Sequence, residues 1–217
     1  MDLNAINKEV CDAGVQLCEM GLTAGTWGNV SERIDDDYMY IKPSGIDYYK
    51  LAPCDMVKVN IHDLSYEGNL KPSTETPLHA AIYVARPNIN AVIHNHSTNA
   101  CIVAAAHKDI PPILDDMVQI VGGSIRVSKY GLPGSDELTK NGMIALEGRN
   151  AAILANHGPV CIGRNMKEAF VICQIVEKAA RVFVDVQALG GPVCISDENV
   201  QFMRSFFLEE YGQKKEG

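Results

Sequence analysis

His94 and His96, in the stretch Ala91-Val-Ile-His-Asn-His-Ser-Thr-Asn99, stand two residues apart at the end of an apolar run. Side chains alternate between faces in an extended strand, so these two imidazoles project from the same surface. Such a pair can grip one metal ion, although two imidazoles alone hold a divalent ion weakly. His157 closes a second apolar run, Ala151-Ala-Ile-Leu-Ala-Asn-His-Gly158, just ahead of a glycine, and is the natural third ligand. Three neutral imidazoles with an open coordination position suit a catalytic zinc rather than a closed structural one. An isolated His-x-His pair is more often a solvated strand end, so the metal reading needs support from elsewhere in the chain.

Lys71-Pro-Ser-Thr-Glu-Thr-Pro-Leu-His79 offers some of that support. It reads as a loop feeding a helix that Ser73 or Thr74 would cap, with Pro77 tolerated in the first turn and Arg86-Pro87 at the end. The amides of such a terminus, with the helix dipole behind them, attract an anion, and Ser73 and Thr74 add hydroxyl donors. A phosphate could sit there without any Lys or Arg. Glu75, in the same turn, either complements the dipole or reaches a metal held by His94 and His96. His79, one turn on, reads as a core histidine or one standing behind the ligands. Leu22 to Ser31 is small and polar, a loop in which backbone can approach a ligand or which merely turns the chain.

The elements that must position these residues follow from periodicity. Leu3, Ile6, Val10, Ala13, Leu17 and Met20 predict a helix over 3–20 that stops at Gly21, and Tyr38–Lys42 and Met56–Ile61 read as neighbouring strands. Ser97 starts a short helix through Ala106. Ile110 to Met117 leads into a strand over Val118–Val127, broken by Gly122-Gly123; the adjacent Asp115 and Asp116, in extended chain ahead of it, could not both face one site. Another helix runs from Ser135 to near Gly148. Ala151–Leu154 and Pro159–Ile162 form a hairpin, and Asn165 and Glu168 open a long helix to Gly190. A last helix runs from Ser196 to Tyr211-Gly212. Helices and strands interspersed with short hairpin-like connections favour an α/β fold, a single α/β/α layered domain over 1–217 with a largely antiparallel central sheet.

At 217 residues and 47% hydrophobic content the chain can bury one sizeable core. No stretch approaches the roughly 18 to 20 uninterrupted apolar residues of a membrane span, and the first residues lack a basic region followed by an apolar core. A soluble, cytoplasmic protein is expected. The seven cysteines are scattered and never form Cys-x-x-Cys, the pattern of reduced thiols. A net charge of −8 without any Lys/Arg cluster argues against nucleic acid and acidic membranes as partners. Neither a Gly-x-Gly-x-x-Gly after a strand nor a phosphate-loop signature is present, so nucleotide binding has no support.

Taken together, Gly25-Thr-Trp-Gly-Asn-Val-Ser31, Lys42-Pro-Ser-Gly-Ile-Asp-Tyr48, Lys71-Pro-Ser-Thr-Glu75, His94-Asn-His96, Asn156-His-Gly158 and Tyr211-Gly212 resemble the class II aldolase and adducin family, of the L-fuculose-1-phosphate aldolase type. The resemblance implies that His94, His96 and His157 bind Zn2+ (with Mn2+ or Co2+ as substitutes). Glu75 would be a displaceable fourth ligand and then the acid/base. It implies that Asn29, Ser44, Gly45, Ser73 and Thr74 hold a sugar phosphate, that Tyr211 closes over it, and that the protein is a C4 homotetramer with sites at subunit interfaces. Where the fuculose enzymes use a tyrosine from a neighbouring subunit as the acid, alignment puts Asp115 or Asp116, with Asp116 the assigned candidate.

The implied reaction is reversible cleavage of a ketose 1-phosphate to dihydroxyacetone phosphate and an aldehyde. That departure turns the substrate expectation toward 5-deoxyribulose 1-phosphate or 5-methylthioribulose 1-phosphate rather than L-fuculose 1-phosphate. Among relatives, the L-ribulose-5-phosphate 4-epimerases carry an Asp in place of Glu75 and a longer middle segment, which favours an aldolase. The adducin-like binding modules lack the histidines.

Overall fold

Ile6, Val10, Ala13 and Leu17 recur at helical spacing, and in the computed structural model, which describes residues 3–211, they form the buried stripe of α1 (Leu3–Glu19). Six strands follow among the described residues: β1 (Asn29–Arg33), β2 (Tyr38–Ile41), β3 (Val57–Asn60), β4 (Ala91–His94), β5 (Ala151–Leu154) and β6 (Gly158–Gly163). They form one sheet in the order β3-β2-β1-β4-β6-β5, and every neighbouring pair is antiparallel. The remaining helices are α2 (Thr76–Ala85), α3 (Thr98–Ala106), α4 (Asp115–Val121), α5 (Asp136–Leu146), α6 (Met166–Val186) and α7 (Asp197–Glu209).

The period of two along each strand sorts side chains into two cores. Val30, Ile93, Ile153 and Cys161 face α1, α3, α4 and α6, whereas Ile41, Val92, Leu154 and Ile162 face Leu78 and Ile82 of α2 and Leu138 and Leu146 of α5. The result is the expected α/β/α arrangement, with its antiparallel sheet in the middle. All seven cysteines are unpaired. Among the described residues no helix is long and apolar enough to cross a membrane.

Three local expectations are corrected. The predicted strand over Val118–Val127 is instead α4, stopped by Gly122 at φ 100°; only Ile125 and Val127 make isolated bridges, to Ile110 and Ile153. Met117, Val118, Ile120 and Val121 fit one helical face, all four are buried, and Asp115 and Asp116 complement the dipole in the first turn. Val118, Ile120 and Val121 are β-branched, a residue type that also suits strands.

The polar stretch ending at Ser31 is not wholly a loop, since Asn29 begins β1, an interior strand of the sheet. Ser31 and Arg33 are tolerated there because each finds a partner on or just beyond α2, whereas Glu32 Oε2 is buried without a partner among the described residues. Arg33 donates to the carbonyls of Ile89 (2.9 Å) and Tyr83 (2.6 Å), and the Ser31 hydroxyl lies 2.6 Å from His79 Nδ1 and 2.9 Å from Tyr83 Oη. Finally, neither Ser73 nor Thr74 caps α2. The N-cap residue is Glu75, whose side chain makes no capping bond.

Candidate active site

β4 ends at His94, and the chain then leaves the sheet, so His96 is held by a bond from its amide to the Leu22 carbonyl (3.0 Å). His157 comes from the turn between β5 and β6. That turn is pressed onto the segment joining the other two histidines: a Cβ on Gly158 would lie 2.2 Å from the Asn95 carbonyl oxygen. Only glycine permits that approach. Gly158→Ala is therefore expected to push His157 away from its neighbours, destabilising the fold by about 1–3 kcal/mol and weakening metal binding. Urea unfolding and metal titration of the variant check this, and wild-type affinity in a folded variant would contradict it.

The three rings meet edge to face, with centroids 4.6 to 5.0 Å apart. One ligand atom from each lies within 4.8 Å of the others. His94 is fully buried, and its Nδ1 donates to the Pro159 carbonyl at 3.0 Å. That bond leaves a lone pair on Nε2, which faces His96 Nε2 at 3.0 Å.

Glu75 projects from the start of α2 into the same space, its Oε2 3.4 Å from His94 Nε2 and its Oε1 3.4 Å from His157 Nδ1. Asn29 Nδ2 donates to Glu75 Oε2 at 2.7 Å. Glu75 Oε1 and His157 Nδ1 are buried without a hydrogen-bond partner among the described residues.

Burial, reinforced by the other two histidines, lowers His96 to about 3, and burial followed by His94 lowers His157 to about 4. Burial pushes the Glu75 carboxyl up, but the surrounding histidines and the Asn29 amide outweigh it and hold it below its usual value. At neutral pH His96 and His157 are therefore unprotonated and Glu75 is a carboxylate, with two buried polar atoms of the cluster unsatisfied. This donor set fits a divalent cation of the zinc type.

Glu75, His96 and His157 line one side of a cavity of about 310 Å³. Asn29, Ser44, Gly45, Ser73 and Thr74 line the same cavity, so the residues expected to hold a phosphate do converge on the metal cluster. Gly45 and Thr74 have backbone amides with no hydrogen-bond partner among the described residues. Larger grooves lie between α2 and α5 and between α1 and α6, but neither includes any of these residues.

Two further cavity residues, Lys42 and Trp27, stood inside the quoted motifs without a role of their own. Lys42 is buried, and its Nζ ties Thr26 to Pro43 through bonds of 3.2 Å to both carbonyls. Burial lowers its pKa to about 8. A cation thus does stand beside the anion loops, and its position at the end of an alternating strand was the available signal. Trp27 is the second.

Asp116 and Tyr211 are not brought to this cavity. Asp115 is exposed, and Asp116, in the first turn of α4, pairs with Lys178 of α6. Tyr211 is 65% exposed and stacks on Phe207 at 5.4 Å; Gly212 lies outside the described residues.

His79 stands behind the histidine cluster, fully buried and bonded to Ser31. Burial lowers its pKa from 6.5 to about 3. The unfolded chain therefore takes up a proton below pH 6.5 that the folded protein refuses. The stability from neutral His79 is complete above that pH and falls by ~1.4 kcal/mol per unit as pH drops toward 3. Between pH 7.5 and 5, wild type should lose roughly 2 kcal/mol more than His79→Gln in urea unfolding. Equal losses would rule this out.

The family model for the Class II Aldolase and Adducin N-terminal domain matches residues 8–184. L-fuculose phosphate aldolase of Escherichia coli (strain K12) is 33% identical over 217 residues, covering 100% of both chains. The 5-deoxy-D-ribulose 1-phosphate aldolase of Bacillus thuringiensis serovar kurstaki is 30% identical, over 99% of this chain and 100% of the relative. An L-ribulose-5-phosphate 4-epimerase of Salmonella paratyphi B is also 30% identical, over 98% and 100%. Among solved structures, an L-fuculose 1-phosphate aldolase superposes with a TM-score of 0.90 at 34% identity, covering 94% of this chain and 96% of that one. With three histidines gathered at the head of its sheet and named aldolases matching it from end to end, the chain belongs to the class II aldolase and adducin family, on its lyase side.

Proposed function

We propose that this protein is a zinc-dependent aldolase that reversibly cleaves a ketose 1-phosphate to dihydroxyacetone phosphate and an aldehyde. The observation that carries the reading is the convergence on one cavity of Glu75, the histidines and the Ser44, Gly45, Ser73 and Thr74 loops. His94, His96 and His157 would hold the ion with Glu75 as the fourth, displaceable ligand; when bound, it would draw electron density from a carbonyl beside it.

The chain's own residues account for the rest. The Gly45 and Thr74 amides and the Ser44, Ser73 and Thr74 hydroxyls would anchor the phosphate, with Asn29 between them and Glu75. Binding energy from that unreactive end holds the reacting carbons in place. In the cleavage direction the C4 hydroxyl gives up its proton, the C3–C4 bond breaks, and the electron pair passes toward C3 and the C2 carbonyl. Glu75, having taken a proton from water, then delivers it to C3; in synthesis its carboxylate, the form it holds at neutral pH, removes that proton and returns it to water. The acid serving the C4 oxygen is assigned to Asp116 of an adjoining copy in a C4 homotetramer, and closure over substrate to Tyr211.

The favoured substrates are 5-deoxyribulose 1-phosphate and 5-methylthioribulose 1-phosphate, with L-fuculose 1-phosphate behind them. A coupled assay for dihydroxyacetone phosphate over these three, with L-ribulose 5-phosphate tested for epimerisation, decides the matter. Release of dihydroxyacetone phosphate supports the proposal. Epimerisation alone would make the protein a 4-epimerase, and bound metal without either reaction would make it a zinc-stabilised binding module.

A further inference from the structure

The single tryptophan of the chain, Trp27, is 67% exposed, yet it stands on the wall of the cavity rather than on an open face. Its ring lies 5.9 Å from that of His96, tilted by 31°. The backbone beneath it is tied on every side. Trp27 N donates to the Ala24 carbonyl at 3.3 Å, Thr23 Oγ1 donates to the Trp27 carbonyl at 2.8 Å, and Lys42 Nζ holds the Thr26 carbonyl. Gly28, at φ 73°, sits so close to the end of β4 that a Cβ there would lie 2.8 Å from the His94 carbonyl. The ring is thus presented by a fixed loop, and withdrawing it would mean breaking the contacts that also position the histidine segment.

Trp27 is the one large apolar side chain in a lining whose other apolar members are prolines and glycines. The loops carrying Ser44, Gly45, Ser73 and Thr74 suit a phosphate, and the histidines suit the oxygens of the carbons next to it. A ketose 1-phosphate bound in that order must carry its far end, beyond C4, past the histidines, where the indole flanks His96. An aromatic face there favours a methyl or thioether group, which gains contact without losing hydrogen bonds to water, over a hydroxymethyl group.

We infer that Trp27 is a specificity-determining residue, the apolar wall that selects ketose 1-phosphates whose tail beyond C4 is apolar. The inference rests on the aldolase reading for the order in which substrate lies along the cavity.

The test uses three substrates identical from C1 to C4 and bearing methylthio, hydrogen or hydroxyl on C5: 5-methylthioribulose, 5-deoxyribulose and ribulose 1-phosphates. Trp27→Ala should lower kcat/KM for the methylthio substrate roughly tenfold, through KM, and for the hydroxyl substrate by less than about twofold. Trp27→Phe should restore most of the preference, and metal content should be unchanged in both. An equal fall for all three substrates, or none, overturns the inference.

Emission from the sole tryptophan gives a second reading that needs no turnover. Binding of the methylthio compound should shift it at roughly tenfold lower concentration than binding of the hydroxyl compound. Such a shift without cleavage would count against the aldolase reading while upholding the wall. Cleavage with unaltered emission and unaltered preference would do the reverse.

Discussion

Glu75→Gln is expected to keep its fold and its metal while turnover falls by about a hundred- to ten-thousandfold, the range that general acid–base groups contribute. The side chain is 4% exposed and its Oε2 accepts from Asn29, a bond that the Gln carbonyl can still accept. The change removes a buried negative charge rather than leaving one unpaired, so no large loss of stability follows. Three imidazoles remain to hold the ion. What disappears is the group that can carry a proton at C3. Metal analysis alongside steady-state kinetics separates the two effects, and full activity in the variant would remove Glu75 from the chemistry.

His96→Ala is expected to abolish stoichiometric metal and, with it, cleavage. Loss of partners that merely orient a metal ligand weakens binding by about 10- to 100-fold, and loss of the ligand itself should exceed that. His96 is the suitable target because it is only partly buried on the cavity wall, whereas His94 is fully enclosed and bonded to Pro159. The variant should therefore fold. Stoichiometric zinc in purified, folded His96→Ala would contradict the assignment.

The legible parts of the fold were those where one local rule dominated. The helical spacing of α1, the N-cap Asn165 that opens α6, and the β5–β6 hairpin around His157 all matched, and so did the antiparallel sheet between helical layers; the Glu168 carboxylate closes on the Arg164 amide rather than on that of Asn165. Errors came where local signals conflicted. In α4 the β-branched Val118, Ile120 and Val121 also suit a strand, although with Met117 they keep helical spacing. In β1 polar residues hid an interior strand, because what satisfies Ser31 and Arg33 is the underside of α2, some 50 residues away. Capping failed at Glu75 for a related reason: its carboxylate is drawn toward Asn29 and two histidines instead of the helix amides.

By itself the sequence determined the donor chemistry: which three imidazoles, which carboxylate, and which small, hydroxyl-bearing loops could serve an anion. Residue type and short spacing pointed to the histidines and the Ser73-Thr74 turn, and the family resemblance supplied Asn29, Ser44 and Gly45; neither needs knowledge of distance. Only the tertiary structure decided that these groups share a cavity, that Lys42 stands beside them, that Trp27 is held at the wall, and that Asp116 and Tyr211 lie outside it. Such placements depend on contacts between segments far apart in the chain, as where the Gly158 turn closes on Asn95, and no local periodicity encodes them.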